Sequence, residues 1–289
     1  LKGFFKLLIK IAVTGVCLWY VGQKIDWYAT WQLFEKAQKG WLLLAALFFI
    51  LSKLLAAYRL SLFFTCIHLN ISQQANTALY WLGMFYNLFL PGGIGGDAYK
   101  GILLTRHFSS IGGKKIGAAI LLDRISGVVG LGLLGVVCWG IIFRQNWFGW
   151  AAVAGLPIGF LMYRLVYFKW FPSFKPAFIS TLYGGIGVQL LQVVCIWMVM
   201  LSIGIQQSHL EFQLLFLLSS IVAILPFTIG GLGAREVVFL WGAQTFGLLP
   251  SEAVFISLLF YLISVLVSLA GVWWVFRPVA LKKIDVQEM

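Results

Sequence analysis

Four stretches of the 289-residue sequence hold ionisable side chains in settings that give them chemical consequence. Arg59 lies in AAYRLSLFF, and Asp97 follows the glycines of NLFLPGGIGGDAYKG. Asp123 and Arg124 stand together in LLDRISG, and Arg235 and Glu236 follow the glycines of PFTIGGLGARE. A guanidinium is a planar fork of donors that matches the oxygens of a phosphate. A carboxylate beside it balances the charge when no phosphate is there, or meets a cationic headgroup. Gly92, Gly93, Gly95 and Gly96 precede one helix start, and Gly230, Gly231 and Gly233 precede another. Lacking side chains, they leave backbone N–H groups accessible where the positive end of a helix dipole favours an anion. Together these residues suggest the holding of an anionic group, phosphate above all.

Each residue also has a plainer reading. Asp97 fits an N-cap, accepting bonds from free N–H groups, as well as it fits a headgroup contact. Asp123 and Arg124 fit an interfacial ion pair or a snorkelling arginine. Ser126, Gly127 and Gly130 beside them are small enough to let other helices approach, which favours an interior role. Glu236 suits a helix start and Arg235 does not, so Arg235 is the stronger phosphate candidate. Arg59 can snorkel to the inner surface, while Lys53 lies deeper in the same apolar run. Catalysis finds no foothold. There is no nucleophile–base pair, His68, His107 and His209 are scattered, and the four cysteines stand singly. The match of 93–98 to G-x-G-x-x-A lies in an apolar helix rather than a βαβ unit. No catalytic residue, metal or cofactor is expected.

The elements that must position these residues are membrane helices. The chain is 61% hydrophobic and 10% charged, with mean hydropathy +0.95, too apolar to cover a soluble surface. Its net charge of +12 comes from bases between apolar runs, where positive-inside topology and anionic headgroups explain it and nucleic acid does not. Six runs are long enough to cross: 4–21, 41–64, 116–142, 147–166, 178–203 and 253–276. The first is read as a retained span, because its exit, WYVGQK, lacks a small-residue cleavage site. Two shorter runs stop at breakers, 77–90 at PGGIGG and 214–225 at PFTIGGLG, and helix resumes over 98–105 and 234–246.

Each short pair is read as a re-entrant helical hairpin, over about 77–105 and 212–246, since about 20 Å of helix falls short of a bilayer. The expected fold is therefore an all-α polytopic membrane protein with about six full spans and two re-entrant hairpins. A hydropathy count would give seven to eight helices. The two breaks align as a weak repeat, Gly92-Gly93-Ile94-Gly95-Gly96-Asp97 with Gly230-Gly231-Leu232-Gly233-Ala234-Arg235, and three spans lie between them. The hairpins then enter from opposite faces as an inverted repeat. With both termini cytoplasmic, the inner segments receive Lys2, Lys6, Lys10, Arg106, Lys114, Lys115, Arg164, Lys169, Lys175, Arg277, Lys282 and Lys283. The outer ones receive Lys24, Lys36 and Lys39, offset by Asp26 and Glu35, then Arg144, Glu211 and Glu252. That bias has the sign the positive-inside rule requires.

NLFLPGGIGGDAYKG, followed by AAILLDRISG and then LPFTIGGLGAREVVF, resembles the transmembrane region of lysylphosphatidylglycerol synthases. AAYRL matches an upstream alanine–arginine element of that family, which also contains stand-alone membrane proteins. The resemblance implies a lipid flippase-type domain in a bacterial cytoplasmic (inner) membrane. In the full-length synthases such a domain moves aminoacylated phosphatidylglycerol between leaflets, while a separate soluble domain makes it. No soluble domain follows the last span in this sequence, which implies a stand-alone, transporter-like member rather than an aminoacyltransferase. Stand-alone relatives are associated with varied lipids, including hopanoids and lipid-linked sugars. Tyr99-Lys100 departs from an expected aliphatic residue and arginine but keeps the charge.

The expected function is a flippase or scramblase. Its polar cavity, lined by the two hairpins, would take a membrane phospholipid or lipid-linked substrate. Arg124 and Arg235 would hold the phosphate, with Asp97, Asp123 and Glu236 pairing those arginines when the cavity is empty. The alternatives are an integral-membrane lipid-modifying enzyme and an accessory subunit of a lipid or glycan synthase. A homo-oligomer or a synthase partner remains open.

Overall fold

A computed structural model describes residues 2–89, 95–224, 228, 230–277 and 279–281. Among them the chain is helical throughout, with no β-strand. The helices are α1 (Lys2–Gly22), α2 (Trp27–Lys36), α3 (Lys39–Thr65), α4 (Gln73–Phe89), α5 (Gly95–His107), α6 (Gly113–Ile142) and α7 (Trp147–Ala154). They continue with α8 (Leu156–Trp170), α9 (Phe178–Ser202), α10 (His209–Ile224), α11 (Ala234–Phe246), α12 (Pro250–Leu269) and α13 (Trp273–Phe276). Among the described residues five stretches are long and apolar enough to cross a bilayer: Lys39–Thr65, Gly113–Ile142, Trp147–Trp170, Pro172–Ser202 and Pro250–Phe276. The first expected span falls in α1, whose 21 residues make about 30 Å of helix. The protein is a polytopic α-helical membrane protein.

Three details differ from the sequence reading. The run 147–166 is not one helix but two, α7 and α8, joined at Gly155. Pro157 at the start of α8 has no N–H to give to the preceding turn, so the ladder is interrupted there. The last span begins at Pro250 and tightens to a 3₁₀ turn over Ala270–Val272. Within that turn Gly271 lies so near the backbone of Trp81 that no side chain fits. The short helix α2 was not foreseen, being only ten residues long. Asp26 caps it, its Oδ1 accepting from the N–H groups of Tyr28 and Ala29 at 2.9 and 3.1 Å. The exposed Trp27, Tyr28, Trp31 and Phe34 make one aromatic stripe, suited to a headgroup layer.

The chain falls into two compact units, one of residues 1–50, 87–95 and 191–269, the other of 51–86, 96–190 and 270–289. In the first, α11 runs antiparallel to α10: Gly231 lies against Ala223 near the turn and Gly242 against Leu215 farther along. Phe216 of α10 packs edge-on to Phe260 of α12, ring centres 4.8 Å apart, and Val21 and Ile25 join Leu240 and Val254 in a small core. In the second unit, Leu60, Phe63 and Phe64 of α3 are buried with Ile116, Ala119 and Leu122 of α6 and with Tyr167 of α8. Here α5 packs back on α4, with Tyr99 and Tyr86 ring centres 4.4 Å apart. Gly96 and Gly83 meet backbone to backbone, and a methyl on Gly96 would overlap the Gly83 carbonyl.

Candidate functional site

The charged residues gather in two places, one in each unit. In the second unit the centre is Asp97, in the first turn of α5. Its Oδ1 lies 2.6 Å from Lys100 Nζ, and its Oδ2 accepts from Arg124 Nε on α6. The i,i+3 spacing brings Lys100 round to the same face of α5 as Asp97. Lys100 is only 4% exposed, and the reason it fits is Gly83: a Cβ there would stand 2.9 Å from Lys100 Cε. The ammonium lies over the Tyr80 ring, 4.9 Å from its centre, a contact that partly replaces lost hydration. One turn of glycine-bounded helix thus binds two cations with a single acid.

One residue before Arg124, Asp123 serves another partner. Its Oδ1 accepts from Arg59 Nε of α3 at 2.8 Å, and the two side chains are 8% and 4% exposed. The Arg59 guanidinium sits in a wedge between α6 and α9, where a Cβ on Gly127 would stand 3.6 Å from both Nη atoms. A Cβ on Gly184 would meet the Arg59 stem at 3.2 Å. The helices cross so closely that a methyl on Gly185 would overlap the Ser126 carbonyl, and one on Gly130 would lie 2.7 Å from the Gly185 carbonyl. Gln189 Nε2 donates across the crossing to the Gly127 carbonyl at 3.3 Å. Removing either member of a buried pair strands a charge, so Arg59 and Asp123 form a lock between helices. The cluster as a whole sets three cations, Arg59, Lys100 and Arg124, against the two carboxylates of Asp97 and Asp123. Asp123 lies ten residues beyond Gly113, about 15 Å along the spanning helix.

In the first unit, Arg235 and Glu236 open α11. Arg235 Nη1 donates to Ser220 Oγ of α10 at 3.1 Å. Its guanidinium carbon lies 5.2 Å from the centre of the Phe260 ring, ten residues into the span that begins at Pro250. Among the described residues no carboxylate lies within salt-bridge distance of it. Glu236 is fully buried and spends both oxygens on structure. Oε2 accepts from the Gly233 N–H at 2.6 Å, and Oε1 accepts from Ser257 Oγ at 2.8 Å.

Several of the expected pairings change accordingly. Asp97 does pair with Arg124, but Asp123 pairs with Arg59, because adjacent residues on a helix point about 100° apart and do not face each other. Glu236 does not pair with Arg235 for the same reason. Gly233 does not offer an open N–H, since Glu236 takes it. The left-handed φ of +60°, +86° and +86° at Gly230, Gly231 and Gly233 explains those three glycines as a turn. A Cβ on Gly233 would also stand 2.8 Å from Cys17 Cβ of α1. Gly95 and Gly96 begin α5, with Gly96 buried for close packing. Gly92 and Gly93 lie outside the described residues. Lys53 is half-buried in α3. The sequence reading did not single out Tyr80, Gln189 or Ser220, and it noted Lys100 for its retained charge without giving it a site role. Lys100 was signalled by its spacing from Asp97, and the α6–α9 crossing by the adjacent Gly184 and Gly185.

A family described as the lysylphosphatidylglycerol synthase TM region matches residues 7–186 and 177–271. The chain belongs to that family. Both charged clusters therefore lie inside the family's membrane region, and the sequence resemblance is upheld across nearly its whole extent. The chain is also similar to a UPF0104 membrane protein of Pyrococcus horikoshii, 28% identical over 130 residues. That alignment covers 45% of this chain and 38% of the relative, so well under half of the relative's length is matched.

Proposed function

We propose that this member of the synthase transmembrane family moves a phospholipid or lipid-linked headgroup between leaflets, as a flippase or scramblase. The observation that carries this reading is a buried arginine, Arg235, with no carboxylate within salt-bridge distance among the described residues. Arg235 meets a hydroxyl and an aromatic ring, and among the described residues no acid lies within salt-bridge distance of it; Arg124 shares Asp97 with Lys100. Ionisable groups in hydrocarbon are costly and mark a polar path, and a surplus of donors suits an anion. A phosphate arriving at Arg124 replaces part of what Asp97 supplies; at Arg235 it meets an arginine fork with one donor already spent on Ser220.

On this reading the antiparallel pairs α4–α5 and α10–α11 are the two re-entrant hairpins of an inverted repeat. Their helices of 17, 13, 16 and 13 residues are about 20–26 Å long, short of the roughly 30 Å a crossing requires. Both termini lie on the cytoplasmic side of a bacterial inner membrane, and the partners are the lipid itself and either a second copy or a synthase. No catalytic residue takes part. The purified protein, reconstituted into liposomes with labelled phosphatidylglycerol in the inner leaflet, should expose the label faster than protein-free liposomes. Mass spectrometry of lipids retained through mild-detergent purification should find phosphate-bearing lipid. A label that stays as sequestered as in protein-free vesicles refutes transport, and formation of a modified lipid would favour an enzyme instead.

A further inference from the structure

The pairing of Arg59 with Asp123 leaves part of the guanidinium fork unspent. Its Nε donates to Asp123 Oδ1, but Nη1, though buried, has no hydrogen-bond partner among the described residues. Gln189 on α9 shows the complementary gap. Its Nε2 donates to the Gly127 carbonyl, while its Oε1 is buried and likewise meets no donor among the described residues. The two residues are 4% and 6% exposed, so neither atom is solvated from the surface. A buried donor and a buried acceptor are each costly to leave unmet.

Both side chains gather about one glycine. A Cβ on Gly127 would stand 3.6 Å from both Nη atoms of Arg59 and 4.0 Å from Gln189 Nε2. Those are ordinary contact distances, so the backbone leaves room there for one heavy atom, with polar atoms around it. Gly130 and Gly185 differ, since opposing backbone already fills the place of a methyl at each. Those two set the closeness of the crossing, and Gly127 leaves a polar gap beside it. The third helix closes the wedge: Gly184 takes the Arg59 stem, and a Cβ on Gly187 would stand 3.0 Å from Leu55 of α3.

The charge here is already balanced, because Asp123 answers Arg59. An anion in the gap would meet the Gln189 oxygen, and a metal ion would meet the guanidinium. The group that fits must accept from Arg59, donate to Gln189 and be one heavy atom in size. We infer that a single water molecule is held at this crossing, accepting from Arg59 Nη1 and donating to Gln189 Oε1. Buried waters typically make about three hydrogen bonds, and Nη2, as near to the gap as Nη1, supplies the third. The water joins α3 to α9, so the Arg59–Asp123 lock between α3 and α6 becomes a node of three helices. The inference rests on packing alone and holds whether or not the protein moves lipid.

The test is solid-state NMR of the full chain in liposomes, reading magnetisation transfer from water to the Gln189 side-chain amide, identified by sequential assignment of α9. Wild type should show the transfer. Gly127→Ala puts a methyl in the gap and should abolish it while the Gln189 signal persists. A second readout is thermal melting of Gly127→Ala against Gly127→Ser, whose hydroxyl can stand in for the water. Helix propensity alone ranks alanine above serine. A water site reverses that order, with the serine variant melting about 2–4 °C higher. No transfer in folded wild type, transfer unchanged in Gly127→Ala, or an alanine variant that melts as high as the serine variant overturns the inference.

Discussion

Replacing Asp97 with asparagine removes the one acid that Lys100 and Arg124 share. Lys100 is 4% exposed and its Nζ lies 2.6 Å from Oδ1, so the variant leaves an ammonium buried without a counter-charge. Stranding one member of a buried pair costs about 3–5 kcal/mol. The Arg124 side chain is 31% exposed and re-solvates more easily, which places the loss toward the lower figure, about 3 kcal/mol. Lys100→Met removes the stranded charge while keeping an unbranched stem beside Gly83. The double variant should therefore be more stable than the sum of its two single variants predicts, by about 1.5–3 kcal/mol. The assay is reversible denaturation followed by tryptophan fluorescence on wild type, both singles and the double. Additivity within about 0.5 kcal/mol would refute the idea that Asp97 holds Lys100, and with it the reading of α5 as a helix pinned by its own charges.

Other substitutions test the packing and the second arginine site. Gly96→Ala should destabilise by about 1–3 kcal/mol, because its methyl meets the Gly83 carbonyl; Gly132→Ala, with open space around it, should stabilise by about 0.5–1 kcal/mol, and equal melting of the two would contradict the close crossing. Glu236→Ala leaves the Gly233 N–H and the Ser257 hydroxyl without their acceptor and should cost about 2–4 kcal/mol in the same denaturation assay. Arg59→Met alone should be more damaging than Arg59→Met with Asp123→Leu, since the pair of changes leaves no buried charge; the reverse order would break the proposed lock.

The long helices were legible because a bilayer imposes a length and a composition that leave a plain trace. Spans 41–64, 116–142 and 178–203 recur almost residue for residue as Lys39–Thr65, Gly113–Ile142 and Phe178–Ser202. The helix α2 was missed because ten residues with one aromatic stripe do not make a hydrophobic run. The break at Gly155 was missed for a different reason: hydropathy is blind to a missing N–H. In the charged clusters, residue type pointed to the right stretches but not to the pairings. Which acid meets which arginine depends on helix rotation and on crossings between segments distant in sequence. Arg59 and Asp123 are 64 residues apart, and the glycines that let α6 and α9 approach them sit on two different helices. Glu236 looked like a ligand for a neighbouring arginine. Its partners are instead a backbone N–H three residues earlier and a serine on α12.

The most direct test of phosphate handling compares Arg124→Ala and Arg235→Ala with wild type in liposomes carrying labelled phosphatidylglycerol. Rates are normalised to folded protein, with Gly132→Ala as the control. If these two arginines hold the phosphate, both variants lose transbilayer movement while the control keeps the wild-type rate. Movement at the wild-type rate in both arginine variants would contradict a phosphate path through either cluster.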